Sequence, residues 1–336
     1  MYMILFVFSN ILGTIISTSS CTWLGMWIGL EINLLSIIPL MNNNKNPFSS
    51  EASLKYFITQ AIASSILLFS IILMSMNFYI NFFYENSLMM IFNSALLTKM
   101  GMAPFHFWLP MVMEGLSWSL CFMIATISKF APLILLSYNF NYPVFFSMTI
   151  ILGSMIGGIL GFNQTSIRKL MAYSSIIHMS WMMSSMFSHS TIFMLYFIIY
   201  TITSMNIMGL FWYLNIFLFK DLIPKINNLF LKFTLTINFL SLGGLPPFIG
   251  FIPKWLTIEY LLMNYNFWLP MIMVIMTILS MAYYMRMIYF SFMINPWKMN
   301  YSINYNYSNF YMTLFLTLNI SLTLSFMICL NLLNFL

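Results

Sequence analysis

The chain has 336 residues, of which 61% are hydrophobic and only 5% charged, with a mean hydropathy of +0.91 and a formal net charge of +6. A soluble domain carries roughly 25% charged residues, so the composition excludes a water-soluble enzyme. It predicts one polytopic, all-α integral membrane domain over residues 1–336.

Apolar runs in chain order fall at 2–20, 22–41, 54–76, 87–102, 111–137, 143–161, 169–187, 191–216, 230–262, 267–292 and 310–334. These make about eleven spans of roughly 20 residues joined by short loops. The opening MYMILFVFSNILGTIIS has no basic n-region, no small-residue cleavage site and no Arg-rich amphipathic pattern, so it reads as a retained first span. The heavy use of Met (34), Phe (35) and Tyr (19) fits an AT-rich coding genome and an organelle-encoded protein.

The charges order the topology. The connections after the second, sixth, eighth and tenth runs hold or flank Lys45, Lys55, Arg168, Lys169, Lys220, Lys225, Lys232 and Lys298, and the alternate connections hold no Lys or Arg. By the positive-inside rule the basic side is the cytoplasm, or the matrix of a mitochondrion. The N-terminus then lies on that side, and the net charge has no need of nucleic acid to explain it.

No strand-anchored G-x-G-x-x-G, P-loop or H-E-x-x-H is present, and Cys21, Cys121 and Cys329 lie too far apart for a cluster or zinc site. The glycines of GSMIGGILG (Gly153, Gly157, Gly161) are spaced for close helix packing. Asn163-Gln-Thr matches a glycosylation acceptor but stands beside Arg168 on the basic side.

Helix breakers recur in pattern. Residues 101–110 read GMAPFHFWLP and residues 244–253 read GLPPFIGFIP; both are G-x-x-P-F-x-x-x-x-P, offset by 143 residues. The copies fall in runs an odd number apart, so they cross the membrane in opposite directions. Two interrupted helices in inverted halves point to an inverted-repeat transporter. A broken helix in a bilayer needs protein or water for its freed backbone groups, so both breaks predict polar, hydrated pockets.

Charges at membrane depth stand nearby. Glu31 lies mid-run in the second span, Lys99 just before the first break, Lys129 in the fifth span and Lys254 after the second break. Intramembrane ionisable residues mark transport paths; the alternative for each lysine is snorkelling to an interface. Glu31 and Lys99 are expected to pair, with Lys129 and Lys254 continuing a proton relay. His178, in AYSSIIHMSW, either extends that relay or is a satisfied interior histidine. Glu259 either ends the path or faces a loop, while Glu114 and Arg286 are expected at interfaces.

WIGLEINLLSIIPLM (27–41), EASLKYFITQAIASS (51–65), TKMGMAPFHFWLP (98–110), NQTSIRKLMAYSSIIHMSW (163–181) and SLGGLPPFIGFIPKW (241–255) together resemble the NADH dehydrogenase subunit 2 family of mitochondrial complex I, in its short metazoan, arthropod-like form. The resemblance implies eleven helices and an antiporter-like, proton-translocating subunit of the membrane arm. It places the family's buried carboxylate at Glu31 and its lysines at Lys99, Lys129 and Lys254. It implies the mitochondrial inner membrane, with the N-terminus on the matrix side. Its partners are other membrane-arm subunits, including neighbouring antiporter-like ones, and membrane lipids. It implies no cofactor and no metal in this chain, with FMN, iron–sulfur clusters and ubiquinone belonging to partner subunits, and it leaves room for bound lipid. The chain departs from the family in TISKFAP, where Ile127-Ser128 replaces a more usual Trp-Gln, and at Met111, where many relatives carry Glu. Two rival readings are a stand-alone cation/proton antiporter and a structural spacer whose channel is silent.

Overall fold

The computed structural model describes residues 2–42, 46–76, 82–226 and 229–293. The eleventh expected span, 310–334, with Cys329, Lys45 and Lys298 lies outside the described residues. Every named element among the described residues is helical, as a membrane demands of a chain that must satisfy its own backbone.

The chain divides into two compact units, Met1–Ile156 and Gly157–Leu336. The first contains α1 (Tyr2–Ser19), α2 (Trp23–Met41), α3 (Pro47–Met76), α4 (Phe82–Met100), α5 (Trp108–Gly115), α6 (Trp118–Ala125), α7 (Ile127–Tyr138) and the start of α8 (Pro143–Phe162). The second contains the end of α8, α9 (Ile167–Met186), α10 (Ser190–Leu214), α11 (Leu222–Lys225), α12 (Leu229–Gly243), α13 (Phe251–Met263) and α14 (Trp268–Phe292).

Among the described residues seven spans are long and apolar enough to cross a membrane, with Trp118–Tyr138, irregular at Thr126, counted as one. The others expected among the described residues are α9, whose first turn carries Arg168 and Lys169, and the two broken pairs α4/α5 and α12/α13.

One boundary differs from expectation. The run 111–137 is not a single span, because α5 ends at Gly115 and α6 begins at Trp118 after Leu116 turns to an extended conformation. The apolar sequence runs on across this turn, so hydropathy alone does not separate the two helices.

The 30-residue α3 explains where α5 goes. Gln60 of α3 bonds the end of α4, the Tyr56 ring lies 5.7 Å from that of Trp108, and Gly115 packs against the Phe48 carbonyl. Descending along α3, these contacts carry the path of α4 on through α5. In the second unit α10 and α14 each pack along both α12 and α13.

Small residues set the helix spacing in the first unit. A Cβ on Gly13 would lie 2.3 Å from Asn33 Oδ1, and one on Gly29 would lie 2.5 Å from the Ser17 amide, so α1 and α2 meet backbone to backbone. In the second unit Gly157 packs against Ile177 and Tyr173 of α9, and Gly161 against Tyr283 of α14. These are the close approaches that the glycine spacing in α8 predicts.

At one end of the second unit the Ile167 amide donates to the Phe217 carbonyl at 3.0 Å, Arg168 lies over the Phe217 ring, and Arg286 donates to the Gln164 carbonyl at 2.8 Å. This ties together the loops that flank Lys169, Lys220 and Lys225. The basic connections of this unit share an end, as a positive-inside topology requires. Arg286 is half-buried there, its guanidinium between the Phe219 and Phe162 rings.

Candidate functional site: two broken helices and their lysines

The repeated sequence folds into a repeated turn. Gly101 has φ +71° and Gly244 φ +77°, a region that L side chains avoid. At the first break the Gly101 amide donates to the Thr98 carbonyl, Met102 to Leu97, and Phe105 to Met102. At the second, Gly244 donates to Ser241, Leu245 to Leu240, and Phe248 to Leu245. Each bond maps onto its counterpart by the same 143-residue offset, and both are glycine-terminated Schellman helix ends. The peptides before Pro104 and Pro247 are cis in both copies. Pro110 and Pro253 sit at the third position of α5 and α13, where the N–H that proline lacks has no helical partner to lose.

A helix end leaves carbonyls to satisfy, and burial makes this obligatory. In the first copy Trp108 Nε1 donates to the Thr98 carbonyl at 3.0 Å, and Gln60 Nε2 to the Lys99 carbonyl at 3.1 Å. In the second copy the carbonyl equivalent to that of Lys99, and the one after it, go to a lysine. Lys254 Nζ donates to the Leu242 carbonyl at 3.1 Å and the Gly243 carbonyl at 2.7 Å. The ammonium therefore sits at the negative end of the α12 dipole, with the Trp181 ring 6.0 Å away. A Cβ on Gly244 would fall 2.7 Å from Lys254 Cδ, so this glycine supplies both the turn and the room for the lysine.

Lys99 is placed differently. It is 5% exposed, and its Nζ makes no hydrogen bond. It faces a small cavity lined in part by Asn33, Tyr56, Gln60, Ser128 and Pro132. Both amide atoms of Asn33 are also buried without a partner. A polar cavity of this kind suits water.

The expected direct pair between Glu31 and Lys99 is not formed. The only ion pair within 4.0 Å among the described residues is Lys55–Glu51, one helical turn apart on α3. Glu31 is half-buried, with Oε2 unpartnered.

Lys129 is 1% exposed on the first turn of α7. The helix is interrupted just before it at Thr126 (φ −120°, ψ −73°), whose hydroxyl donates to the Phe122 carbonyl at 2.7 Å. Pro132, just after it, cannot donate to the Ser128 carbonyl one turn back. A third irregular helix thus holds a third buried lysine. His178 lies in α9, the most enclosed helix of the second unit, with its Nδ1 3.0 Å from the Tyr196 hydroxyl and its ring stacked at a tilt, 5.1 Å from Tyr200.

The structure thus gathers Lys99 with the Glu31 neighbourhood in the first unit, and Lys254 with the α9 face bearing Trp181 in the second. Sequence reasoning overlooked Gln60, Asn33 and His106. Gln60 and Asn33 were visible as uncharged polar residues inside apolar runs. His106 stands where the second copy has Ile249; it is 3% exposed, with Nδ1 3.2 Å from the Pro104 carbonyl and Nε2 unpartnered.

The family described as NADH:quinone oxidoreductase/Mrp antiporter, TM, matches residues 20–280. The chain belongs to this family. Within it, NADH-ubiquinone oxidoreductase chain 2 of Anopheles gambiae is 47% identical over 89% of this chain and 88% of its own length. The Locusta migratoria protein of the same name is 42% identical over 84% and 83%. Among solved structures, a chain of respiratory complex I from Thermus thermophilus shares the fold with a TM-score of 0.86 at 21% identity, covering 97% of this chain and 78% of that one. A chain of the Mrp complex from Dietzia sp. DQ12-45-1b shares it with a TM-score of 0.77 at 16% identity, covering 86% and 60%. The antiporter-like architecture that the resemblance implies is the architecture of this family.

Proposed function

We propose that the buried charges of this chain move protons across the membrane, with Glu31, Lys99, Lys129 and Lys254 as the relay and His178 as an extension of it. The chain is a multi-pass mitochondrial membrane subunit of NADH:ubiquinone oxidoreductase, working beside other antiporter-like membrane-arm subunits. One observation carries the relay reading. Among the described residues three helices are interrupted beside a buried lysine, each within a turn or two of it. A membrane helix gives up backbone bonds only where protein or a water-filled cavity replaces them, and a charge at that depth is costly enough to need a use.

In this reading residues 1–336 act as one proton-translocating membrane domain. Redox chemistry, with FMN, iron–sulfur clusters and ubiquinone, belongs to partner subunits. Energy reaches the lysines as an electrostatic or conformational change from a neighbour. Protonation at one lysine alters the Glu31–Lys99 neighbourhood, and the change passes to Lys129 and Lys254.

The proton-to-electron ratio of inner-membrane vesicles carrying Lys99→Met, read beside the amount of assembled complex, tests this. The expected result is normal assembly with reduced pumping. Normal assembly with an unchanged ratio makes Lys99 a structural residue and returns the chain to the spacer reading. The Lys/Arg distribution supports an N-terminus in the matrix and a loop between α1 and α2 on the opposite face. Cys21, exposed in that loop, is then expected to react with an impermeant maleimide from the intermembrane side; labelling only from the matrix side reverses the topology.

A further inference from the structure

The Lys254 ammonium has one more N–H than its two carbonyls use. An ammonium carries three donors, and two of them meet the Leu242 and Gly243 carbonyls at 3.1 and 2.7 Å. The ammonium also lies over the Trp181 ring, 6.0 Å from its centroid. That ring comes from a different helix, α9, which packs against α13. The distance is the outer limit at which an aromatic face attracts a cation, and tryptophan has the strongest face of the aromatic residues.

Packing alone does not explain a tryptophan at 181. The side chain is 0% exposed, and its Nε1 is buried without a hydrogen-bond partner. A buried indole usually finds an acceptor for that N–H, and leaving it without one is costly. Phenylalanine or leucine fills an apolar site without burying an orphan donor. What the indole adds is its π face, and the charged group over that face is Lys254. The face also tells the two forms of the lysine apart. A neutral amine has two N–H groups and serves two carbonyls as an ammonium does, but only the cation is drawn to the ring.

The internal repeat supports the pairing. At the 143-residue offset α5 and α13 begin together, and α2 and α9 begin within one residue of each other. Lys254 then corresponds to Met111, and Trp181 to Ile38. The copy without the cation is also without the ring.

We propose that Trp181 is a positioning residue for Lys254, its indole face holding the charged form of the side chain at the end of α12. Its effect on pumping rests on the relay reading above, whereas the contact itself does not.

A double-mutant cycle on the purified complex tests the pairing. Thermal inactivation is measured for wild type, Trp181→Leu, Lys254→Met and the two together. Methionine keeps most of the lysine stem, so the cycle reads the charge. The expected result is that Trp181→Leu lowers the midpoint less in the Lys254→Met background than in the wild type. Equal losses in the two backgrounds make Trp181 a packing residue and overturn the proposal. Trp181→Phe keeps a ring and removes the orphan N–H. In inner-membrane vesicles it is expected to retain more of the protons moved per electron than Trp181→Leu does. Equal pumping by these two variants, with a loss in Lys254→Met, also overturns the proposal. A wild-type ratio in Lys254→Met defeats the relay reading alone, and the thermal cycle then decides the pairing. Should Trp181→Leu or Lys254→Met fail to assemble, Trp181→Phe and Lys254→Gln carry the same cycle, with the same inequality required.

Discussion

The two breaks share a turn and differ in who answers for it. At residues 97–105 the freed carbonyls are satisfied by neutral donors, Trp108 and Gln60, and the lysine at that break stands apart without a hydrogen bond. At residues 240–248 the lysine itself takes two of them, those of Leu242 and Gly243. In the first copy, then, holding the helix end and carrying the charge are tasks for different residues. In the second, one side chain does both. Sequence repeats of this kind conserve a backbone shape while the chemistry seated on it diverges.

Changes at matched positions can break or sharpen that comparison. The largest effect is expected at the glycines. An alanine at either position carries about 1–2 kcal/mol of backbone cost for a left-handed conformation. At Gly244 the new methyl group also collides with the Lys254 stem, whereas at Gly101 it presses on the Trp108 ring at 3.0 Å. Gly244→Ala is therefore expected to lower the amount of assembled complex more than Gly101→Ala does. Equal loss, seen on native gels, would remove the lysine from the account of that turn.

Next come the lysines. Lys254→Met and Lys99→Met both take a buried ammonium away, but only Lys254→Met bares two carbonyls. An unsatisfied buried polar group costs about 1–3 kcal/mol, so the complex with Lys254→Met should melt below that with Lys99→Met. Thermal inactivation of the purified complex measures the gap, and equal melting would mean that the Lys254 contacts to α12 contribute nothing net.

The smallest effect belongs to Gln60→Leu, which frees a single carbonyl at Lys99, about 1–3 kcal/mol against the two carbonyls bared by Lys254→Met. A modest drop in melting temperature with pumping retained is expected. Lost pumping with unchanged melting would instead make Gln60 part of the proton path.

Much of this arrangement was legible from residues alone. The apolar runs, the doubled G-x-x-P-F-x-x-x-x-P, and the lysines at membrane depth are local patterns, and each has a local physical cause. What stayed hidden depends on distant neighbours. Gln60 lies 39 residues from the carbonyl it caps, and nothing near Lys254 announces that its partners are backbone oxygens. The Glu31–Lys99 pair was inferred from complementary charge, but complementarity fixes no distance, and the two groups stand apart. The division at Gly115–Ser117 escaped notice because a turn between two apolar helices leaves hydropathy unchanged.

The length of α3 bears on how a cut helix stays useful. An uninterrupted rod lying along α4 and then α5, bonded at Gln60 and in contact at Tyr56 and Phe48, acts as a splint across a fracture. The two fragments keep a common line although no hydrogen-bond ladder joins them. The gap at residues 101–107 can then admit polar groups without becoming a hinge, and Lys99 keeps a fixed address beside its polar cavity.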